Sequence, residues 1–327
     1  MRPSHNGVED LGSEILLSII IVNWRVPERL RVCLASIYRE TKIPPTLFEI
    51  IVVDNNSGDH SVELVRVEFP QVICIANVVN AGFGRANNQA YQKSRGRFVL
   101  LLNPDTLIQD DAIGKALALM KQRTCVVALG CRLLNGDGSL QRWTGGRFPS
   151  LWNVACHYLF LSSLLALFGC DVSVYLTHDV SHDCEVDWLC GAFLMLRRAA
   201  ITEPLFDPSY FMYGEDMDLC YRLKQAGGTI LYTPAASIIH YQGASMSKQQ
   251  GDIMLSSLKG LRMFYRKTHG PGKLWLFDAL TVAGFGLRWC AFRIGAGVSG
   301  KASLTAKAAS SRQYLTIALQ LMKTKLE

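Results

Sequence analysis

The chain has 327 residues, of which 49% are hydrophobic and 19% charged, with 27 glycines and 11 prolines, and this composition excludes a disordered or collagen-like protein. The net charge is +7, and residues 251–327 carry all of it, with 12 Lys or Arg against three acidic residues. Because these charges alternate with long apolar runs, we expect the tail to bind an anionic membrane surface and not nucleic acid.

The N-terminus does not resemble a secretory signal. Glu9, Asp10 and Glu14 stand where a basic segment would be, and the apolar run that follows them is short. The ten cysteines include no pair at the spacing of a zinc knuckle or redox motif. We therefore expect a flexible N-terminus over residues 1–14 and a cytoplasmic protein, peripheral at the inner face of the cell membrane.

Residues 16–129 alternate short β-branched runs with amphipathic segments. The predicted strands are 16–23, 48–55, 72–76, 97–103 and 126–129, and the predicted helices are 28–39, 60–68, 84–94 and 110–122. This alternation is typical of an α/β fold with a Rossmann-like, mostly parallel sheet flanked by helices. Ligands bind at the carboxyl ends of such strands. The polar residues at these ends are Asn23, Asp54 with Asn55 and Asn56, and Asn103 with Asp105.

Asp54 ends the second predicted strand. A carboxylate in this position accepts the imide N–H of a uracil or thymine base, although the sequence Asp-Asn-Asn-Ser-Gly is also typical of a turn. Further along, Gly82 and Gly84 precede a helix whose N-terminus is a candidate phosphate site. Asn80 and Asn88 flank these glycines and are candidate donors to sugar or diphosphate oxygens, with helix capping as the alternative.

The segment Asn103-Pro104-Asp105 closes the fourth predicted strand. A carboxylate beside a rigid proline is a candidate ligand of a hard divalent cation, which in turn bridges the oxygens of a diphosphate. The alternative is a simple Pro-Asp turn.

Residues 206–228 combine an aromatic run with acidic residues. Glu215, Asp216 and Asp218 crowd the first turn of a predicted helix over 215–225, in which Arg222 is spaced i,i+4 from Asp218. Acids in a first turn stabilise a helix, but a carboxylate shielded by aromatic rings also has its pKa raised toward the range of a useful base. Strands are predicted at 191–198, 229–233 and 237–240, and the last ends at His240, a candidate metal ligand.

Two apolar stretches are long enough to concern a membrane. Residues 151–169 carry no formal charge, and we expect an interfacial helix hairpin or, failing that, a buried core segment. Helices are predicted over 252–267, 274–298 and 302–325. In the second of them Asp278, Arg288 and Arg293 fall within an arc of roughly 140°, the pattern of a helix lying in the membrane interface.

Seven motifs in order give the chain a recognisable pattern, namely SIIIVNW, VVDNNSGD, NAGFGRANN, LLNPDT, GAFLMLRR, YGEDMDLCYRL and HYQGAS. The series resembles the family 2 glycosyltransferases, the inverting GT-A class, and especially their rhamnosyltransferase-like branch, over about residues 15–245. The resemblance implies that Asp54 contacts the nucleobase, that Asn80 and Asn88 face the donor nucleotide, that Asp105 and His240 hold a metal ion, and that Asp216 is the base. Asn103 replaces the first Asp of the family's DxD element, and Arg85 and Ala90 also depart from its usual residues.

The resemblance also implies a function. We expect a GT-A domain over 15–250 with an apolar insert at 151–169, and a helical, membrane-associating region over 251–327. The expected reaction transfers rhamnose or a hexose from a dTDP- or UDP-linked donor to a glycan or polyprenyl-linked acceptor in cell-surface polysaccharide synthesis, with Mg²⁺ or Mn²⁺ as cofactor. The candidate substrate-binding residues are Asn23, Asp54, Asn56, Asn80, Gly82, Asn88, Asn103, Glu215 and Arg222.

Two alternatives belong to other classes. A nucleotidyltransferase needs a glycine-rich basic phosphate loop near the first strand, which residues 18–28 lack. An inactive homologue that serves as a membrane-bound interaction subunit is expected to lose Asp105, Asp216 or His240, and all three are present.

Overall fold

The computed structural model describes residues 15–142, 144–166, 168, 174–176, 180–241 and 250–324. The predicted flexible N-terminus, residues 1–14, lies outside the described residues. The strands are β1 (Leu17–Asn23), β2 (Phe48–Asp54), β3 (Ile73–Ala76), β4 (Phe98–Leu102), β5 (Thr106–Ile108), β6 (Val126–Leu134), β7 (Gly145–Gly146), β8 (Cys184–Glu185), β9 (Trp188–Leu189), β10 (Phe193–Arg197) and β11 (Thr229–His240). The helices are α1 (Pro27–Glu40), α2 (Ser61–Glu68), α3 (Phe83–Lys93), α4 (Ala112–Gln122), α5 (Leu151–Tyr158), α6 (Leu161–Ala166), α7 (Glu215–Gln225), α8 (Gln250–His269), α9 (Leu274–Ser299) and α10 (Ala302–Lys323).

The main sheet has the strand order β3-β2-β1-β4-β10-β6-β11-β5, with β8 on β11. The strands β1, β2, β3, β4, β6 and β11 run in one direction, and β10, β5 and β8 run against it. The predicted mostly parallel sheet is therefore confirmed, with one antiparallel strand, β10, inserted between β4 and β6.

Both faces of the sheet are covered. Alternate residues of each strand point to opposite faces, so Ile19 and Ile21 of β1 pack with α1, α2 and α4, whereas Ile20 and Val22 pack with α3, α7 and α8. Two apolar layers of buried Ile, Leu, Val and Phe result. This packing explains why the first strands are continuous apolar runs that end abruptly in polar residues.

The second half of the sheet differs from the sequence-based prediction, which did not include the short strands β5 and β8 and which divided β11 in two. The segments predicted as separate strands at 229–233 and 237–240 form the single strand β11, with a shift of register between Thr233 and Ser237. Pro234 lies in this shift, and a proline has no N–H to donate to a neighbouring strand. The interruption in the pattern therefore marks a bulge within one strand.

The apolar stretch at 151–169 forms two short helices. α5 and α6 are separated at Phe160, whose φ is 61°. Val154 and Tyr158 of α5 are buried against Tyr265 and Phe277 of the C-terminal helices. Neither helix is long enough to cross a bilayer.

The three charges predicted to form one arc on α9 do not form a common surface stripe, because two of them are paired within the protein. Asp278 is buried and accepts from Nε of Arg262 at 2.9 Å. Arg288 donates to the backbone carbonyls of His157 and Tyr158. Two of the three charges are therefore used inside the protein, because an unpaired buried charge would be costly. The outward face of α9 is instead apolar.

Candidate active site

The candidate site residues gather at one edge of the sheet. The strands β1, β2 and β4 run in parallel, so Asn23, Asp54 and Asn103 lie at adjacent strand ends. β10 is antiparallel and begins at this edge, where Asn103 N donates to Ala192 O at 3.1 Å. The neighbouring Gly191 N lies 3.4 Å from Oδ2 of Asp216. The start of α7 is thus linked to the end of β4 through the backbone of Gly191 and Ala192.

The polar residues after β1 and β2 form one hydrogen-bonded group, called here the amide cluster, which consists of Asn23, Asp54, Asn55, Ser57, Asn77 and Asn80. Asp54 Oδ1 accepts from Asn23 Nδ2 at 2.9 Å and from Ser57 Oγ at 2.5 Å, and its Oδ2 accepts from Ser57 N at 3.0 Å. The turn chemistry suspected from the sequence is therefore present. Asn23 Oδ1 is buried and has no hydrogen-bond partner among the described residues.

Asn55 connects the two halves of the amide cluster. Its Nδ2 donates to Asn80 Oδ1 at 2.9 Å and to Gly82 O at 3.1 Å, while its Oδ1 accepts from Ala81 N at 2.9 Å. Gly82 has φ 84°, and a Cβ there would lie 2.5 Å from the carbonyl oxygen of Phe211. Only glycine fits this position, which brings the start of α3 against the segment that leads into α7.

Three residues predicted to bind substrate, Asn88, Arg222 and Asn56, lie in different surroundings. Asn88 Nδ2 donates to Phe206 O, and Phe206 N donates to Asn88 Oδ1, both at 2.8 Å, so the amide clamps α3 to a loop. Arg222 is bound to Asp218 at 3.1 Å and also donates to Leu205 O. Asn56 is exposed. A contact between any of these residues and a substrate stays a prediction.

The second set, called here the carboxylate cluster, takes in two pairs of residues at the same edge of the sheet, Asp105 with His240 and Glu215 with Asp216. Asp105 and His240 are both 7% exposed, and Oδ1 of Asp105 lies 3.2 Å from Nε2 of His240. Asn103 Nδ2 lies 3.2 Å from the same nitrogen. The two residues predicted as metal ligands are therefore neighbours, although β4 and β11 are distant in sequence.

At the start of α7, Glu215 is buried and its Oε2 has no hydrogen-bond partner among the described residues. Burial, together with the nearby carboxylate of Asp216, raises the pKa of Glu215 well above its ordinary range. Burial likewise raises the pKa of Asp216 to about 6, while the N–H groups of Met217 and Gly191 act in the opposite direction. Asp216 is the more exposed of the two residues, and its Oδ2 accepts from Gly191 N, two residues before β10.

Among the described residues, no three His, Cys, Asp or Glu side chains converge as a complete metal site. The pair Asp105 and His240 offers two candidate ligands, and a Mg²⁺ or Mn²⁺ ion commonly takes its remaining ligands from substrate phosphates and water. The arrangement therefore suits a cation that binds together with a phosphorylated substrate.

Sequence reasoning placed Asn55 at this edge without giving it a role, and it missed Gly191 and Gln141. Gly191 acts through its backbone N–H, which leaves no signal in the sequence. Gln141 Oε1 lies 2.7 Å from Nδ1 of His240 across 99 residues of sequence, a contact that no local pattern indicates.

Comparison with known proteins finds that the chain is similar to sugar-transferring enzymes. A family model described as glycosyl transferase family 2 matches residues 18–177. Rhamnosyltransferase WbbL of Escherichia coli K12 is 30% identical over 168 residues, which is 49% of this chain and 61% of that protein. The N-acetylglucosaminyl-diphospho-decaprenol L-rhamnosyltransferase of Mycobacterium tuberculosis is 25% identical over 266 residues, covering 78% of this chain and 85% of that protein.

A solved structure shares the fold. The mannosyltransferase PcManGT from Pyrobaculum calidifontis, in complex with GDP-Man and Mn²⁺, superposes with a TM-score of 0.61 at 14% identity, covering 95% of this chain and 88% of that one. At this identity the likeness shows the fold and not the substrate. The predicted GT-A architecture is confirmed.

Proposed function

Because the chain belongs to the family 2 glycosyltransferases, in their rhamnosyltransferase-like branch, we propose that it transfers a sugar from a nucleotide diphosphate sugar to a glycan acceptor with inversion at the anomeric carbon. The observation that carries this proposal is the position of Asp216, whose Oδ2 lies 3.4 Å from Gly191 N. The next residue, Ala192, is bonded to Asn103 at the end of β4, the strand that leads to Asp105 and its partner His240. A base and a candidate cation site thus share one edge of the sheet.

In the proposed mechanism Asp216 accepts the proton of the acceptor hydroxyl as that oxygen attacks the anomeric carbon. A raised pKa makes this carboxylate a better proton acceptor than an ordinary aspartate. Adjacent helical positions differ by about 100°, so Glu215 and Asp216 cannot both point at the same hydroxyl. Glu215 is the more buried of the two and would shape the pocket beside the base.

Asp105 and His240 fit a divalent cation. Their facing atoms are 3.2 Å apart, close to the ~3 Å expected between adjacent ligands of an octahedral Mg²⁺. They are an oxygen and an imidazole nitrogen, which suit Mg²⁺ or Mn²⁺. When bound, such an ion stabilises the negative charge of a departing nucleoside diphosphate.

The substrates follow from the relatives and from the amide cluster. WbbL and the mycobacterial relative are named as rhamnosyltransferases, and the latter as acting on a decaprenol-linked sugar. We therefore propose a dTDP- or UDP-linked rhamnose or hexose as donor and a polyprenyl-linked glycan as acceptor, in cell-surface polysaccharide synthesis. Asp54, together with the unpartnered Oδ1 of Asn23, is the proposed recognition point for the base.

A panel of donors tests the reaction. The purified chain is incubated with dTDP-rhamnose, UDP-glucose, UDP-galactose or UDP-GlcNAc, with and without Mn²⁺ or Mg²⁺, and release of the nucleoside diphosphate is followed. We expect one donor to be turned over, and only with a cation. Release of pyrophosphate from a sugar phosphate and a nucleoside triphosphate would instead identify a nucleotidyltransferase, and no release in any assay would favour an inactive homologue.

Residues 250–324 are also proposed to bind the inner face of the membrane. Among the described residues one helical stretch, Pro271–Ser299, is long and apolar enough to cross a bilayer, by length and composition only, and 22% of its most apolar window is buried. Its outward face carries Trp275, Leu287, Ile294 and Val298, exposed by 64%, 44%, 67% and 86%. The exposed basic residues of the same region are Lys259, Lys267, Lys273, Arg293, Lys301, Lys307, Arg312 and Lys323, of which Lys267 is paired with Asp207 and Asp218.

An apolar face amid basic residues suits a monolayer of anionic lipid, in which α9 lies flat and each Lys or Arg contributes on the order of 1 kcal/mol. The double variant Leu287→Glu with Ile294→Glu is expected to lower co-sedimentation with phosphatidylglycerol vesicles by at least about tenfold, since charge is placed on the inserted face. Val67→Glu is the matched control, because Val67 is 72% exposed on α2. Equal binding of all three proteins would remove the membrane proposal.

A further inference from the structure

We propose that Gln141 is a positioning residue that holds the imidazole of His240 in the tautomer with a free Nε2 directed at Asp105. The inference rests on the proposed function, because it concerns how the candidate cation site is prepared. Gln141 Oε1 lies 2.7 Å from His240 Nδ1, and the side chain is 4% exposed.

The orientation of the Gln141 amide is fixed by its other contacts. Its Nε2 lies 3.3 Å from the backbone carbonyl of His240 and 3.2 Å from Oδ1 of Asn135. A backbone carbonyl only accepts hydrogen bonds, so the amide nitrogen must lie on that side. The amide oxygen therefore faces the imidazole, and because this oxygen only accepts, Nδ1 of His240 must carry the hydrogen.

The consequence concerns the other ring nitrogen. A neutral imidazole with its hydrogen on Nδ1 has a lone pair on Nε2, and this atom lies 3.2 Å from Asp105 Oδ1. The Nδ2 of Asn103, 3.2 Å from the same ring nitrogen, then donates to this lone pair, and the carboxylate oxygen of Asp105 faces it. A cation bound by Asp105 and His240 would take the place of that amide hydrogen bond. Histidine ligands of metals commonly have their second nitrogen held in this way by an acceptor.

The backbone around Gln141 restricts movement of the contact between Gln141 and His240. Gln141 N donates to Leu133 O at 2.9 Å, and a tight turn over residues 135–139 returns the chain onto β6. β6 is itself paired with β11 up to Ile239, the residue before His240. Gly136, in this turn, packs against the ring of Tyr241, the residue after His240. A Cβ built on Gly136 would lie 3.1 Å from the ring. Both partners of the contact are thus anchored in the same pair of strands.

The test measures manganese binding by the full chain, using the electron paramagnetic resonance signal of free Mn²⁺ with Mn²⁺ alone and with Mn²⁺ plus dTDP or UDP. Gln141→Leu is expected to weaken Mn²⁺ affinity about 10- to 100-fold, the usual cost of losing a supporting contact to a ligand. Gln109→Leu is the matched control, because Gln109 Nε2 bonds Ser237 Oγ of the same strand at 3.3 Å without touching His240. It should bind Mn²⁺ like the unmodified protein.

A double-mutant cycle separates positioning from general damage. If Gln141 acts through His240, Gln141→Leu should cost nothing further in a His240→Ala background. Additive losses, or an unchanged affinity in Gln141→Leu, would overturn the inference while leaving the metal site standing. If His240→Ala binds Mn²⁺ normally, or if the unmodified chain binds none, the metal site of the proposed function fails and the inference fails with it.

The ring itself gives a second measurement that does not depend on metal binding. In the metal-free full chain, long-range ¹H–¹⁵N spectra should show His240 with a protonated Nδ1 and a bare Nε2 at pH 8, the signal being assigned by its loss in His240→Ala. Gln141→Leu should give a mixture of the two tautomers. An Nε2–H tautomer in the unmodified protein would refute the proposal.

Discussion

The amide cluster and the carboxylate cluster occupy the same edge of the sheet, but their polar atoms are satisfied in different ways. In the amide cluster nearly every donor and acceptor is already paired within the chain, as with Asp54, which accepts from Asn23 and from Ser57. In the carboxylate cluster, Glu215 has a buried oxygen with no partner among the described residues, and Asp105 faces a ring nitrogen.

This difference has an energetic meaning. Paired amides stabilise the loops that they connect, whereas buried and incompletely paired carboxylates cost stability. A protein keeps such groups where their reactivity is needed. We infer that the amide cluster mainly builds the walls of the site and that the carboxylate cluster carries its chemistry, and this division can be tested residue by residue.

The largest effect is expected at Asp216. Asp216→Asn removes the proposed base and should lower kcat by roughly 10²- to 10⁴-fold at saturating donor, the usual contribution of a positioned base. Because the raised pKa of Asp216 means that its charged form is disfavoured in the fold, the substitution should not lower the melting temperature above pH 7. Turnover with the donor found in the panel, and thermal unfolding, check both statements.

Glu215→Gln is the matched control for that experiment, since it removes the neighbouring acid at nearly the same volume. We expect a milder loss of kcat. Near-normal turnover in Asp216→Asn, or greater damage from Glu215→Gln, would exchange the roles of the two residues and place the base at the fully buried position.

The pH dependence of kcat tests the same assignment of Asp216 as the base. Burial raises the pKa of Asp216 to about 6, so the base is ionised above that pH and protonated below it. The kcat should fall about tenfold for each pH unit below roughly 6, whereas an ordinary aspartate would keep the enzyme active to about pH 4. Measuring kcat from pH 4.5 to 8.5, in the range where the fold is intact, decides between these profiles.

Much of the fold could be predicted from the sequence, because buried parallel strands are continuous apolar runs. The ends of β1, β2 and β4 were predicted to within a residue or two, and with them the edge that holds Asn23, Asp54 and Asn103. The antiparallel direction of β10 and the bulge within β11 were not predictable, since strand direction depends on how distant segments pack.

The sequence was least informative about which polar side chains are already bound to other groups of the protein. Arg222 was predicted from its place in a motif, yet its guanidinium is directed at Asp218 and Leu205 O. Gln141 was not predicted at all, because its contact with His240 joins two strands that only the folded sheet brings together. Motif spacing identifies a residue type at a strand end, but its hydrogen-bond partners are a property of the tertiary structure.

The smallest effect concerns Asn88, a paired amide outside the amide cluster, which the family resemblance assigns to the donor nucleotide. Its amide makes two hydrogen bonds to the backbone of Phe206, a residue with no exposed surface. Asn88→Ala leaves those backbone groups unpaired, so it should lower the free energy of unfolding by about 1–3 kcal/mol. The KM for the donor should stay within about twofold.

Gln92→Ala is the matched control for that substitution, because Gln92 lies exposed on the same helix. It should leave unfolding unchanged to within about 0.5 kcal/mol. Denaturant unfolding and donor KM are measured on both variants. A raised KM with unchanged stability in Asn88→Ala would show that the amide serves the nucleotide in spite of its bonds to Phe206. The inference that amides paired within the chain are structural would then not hold for Asn88, because ligand binding would have to free an amide that the fold already uses.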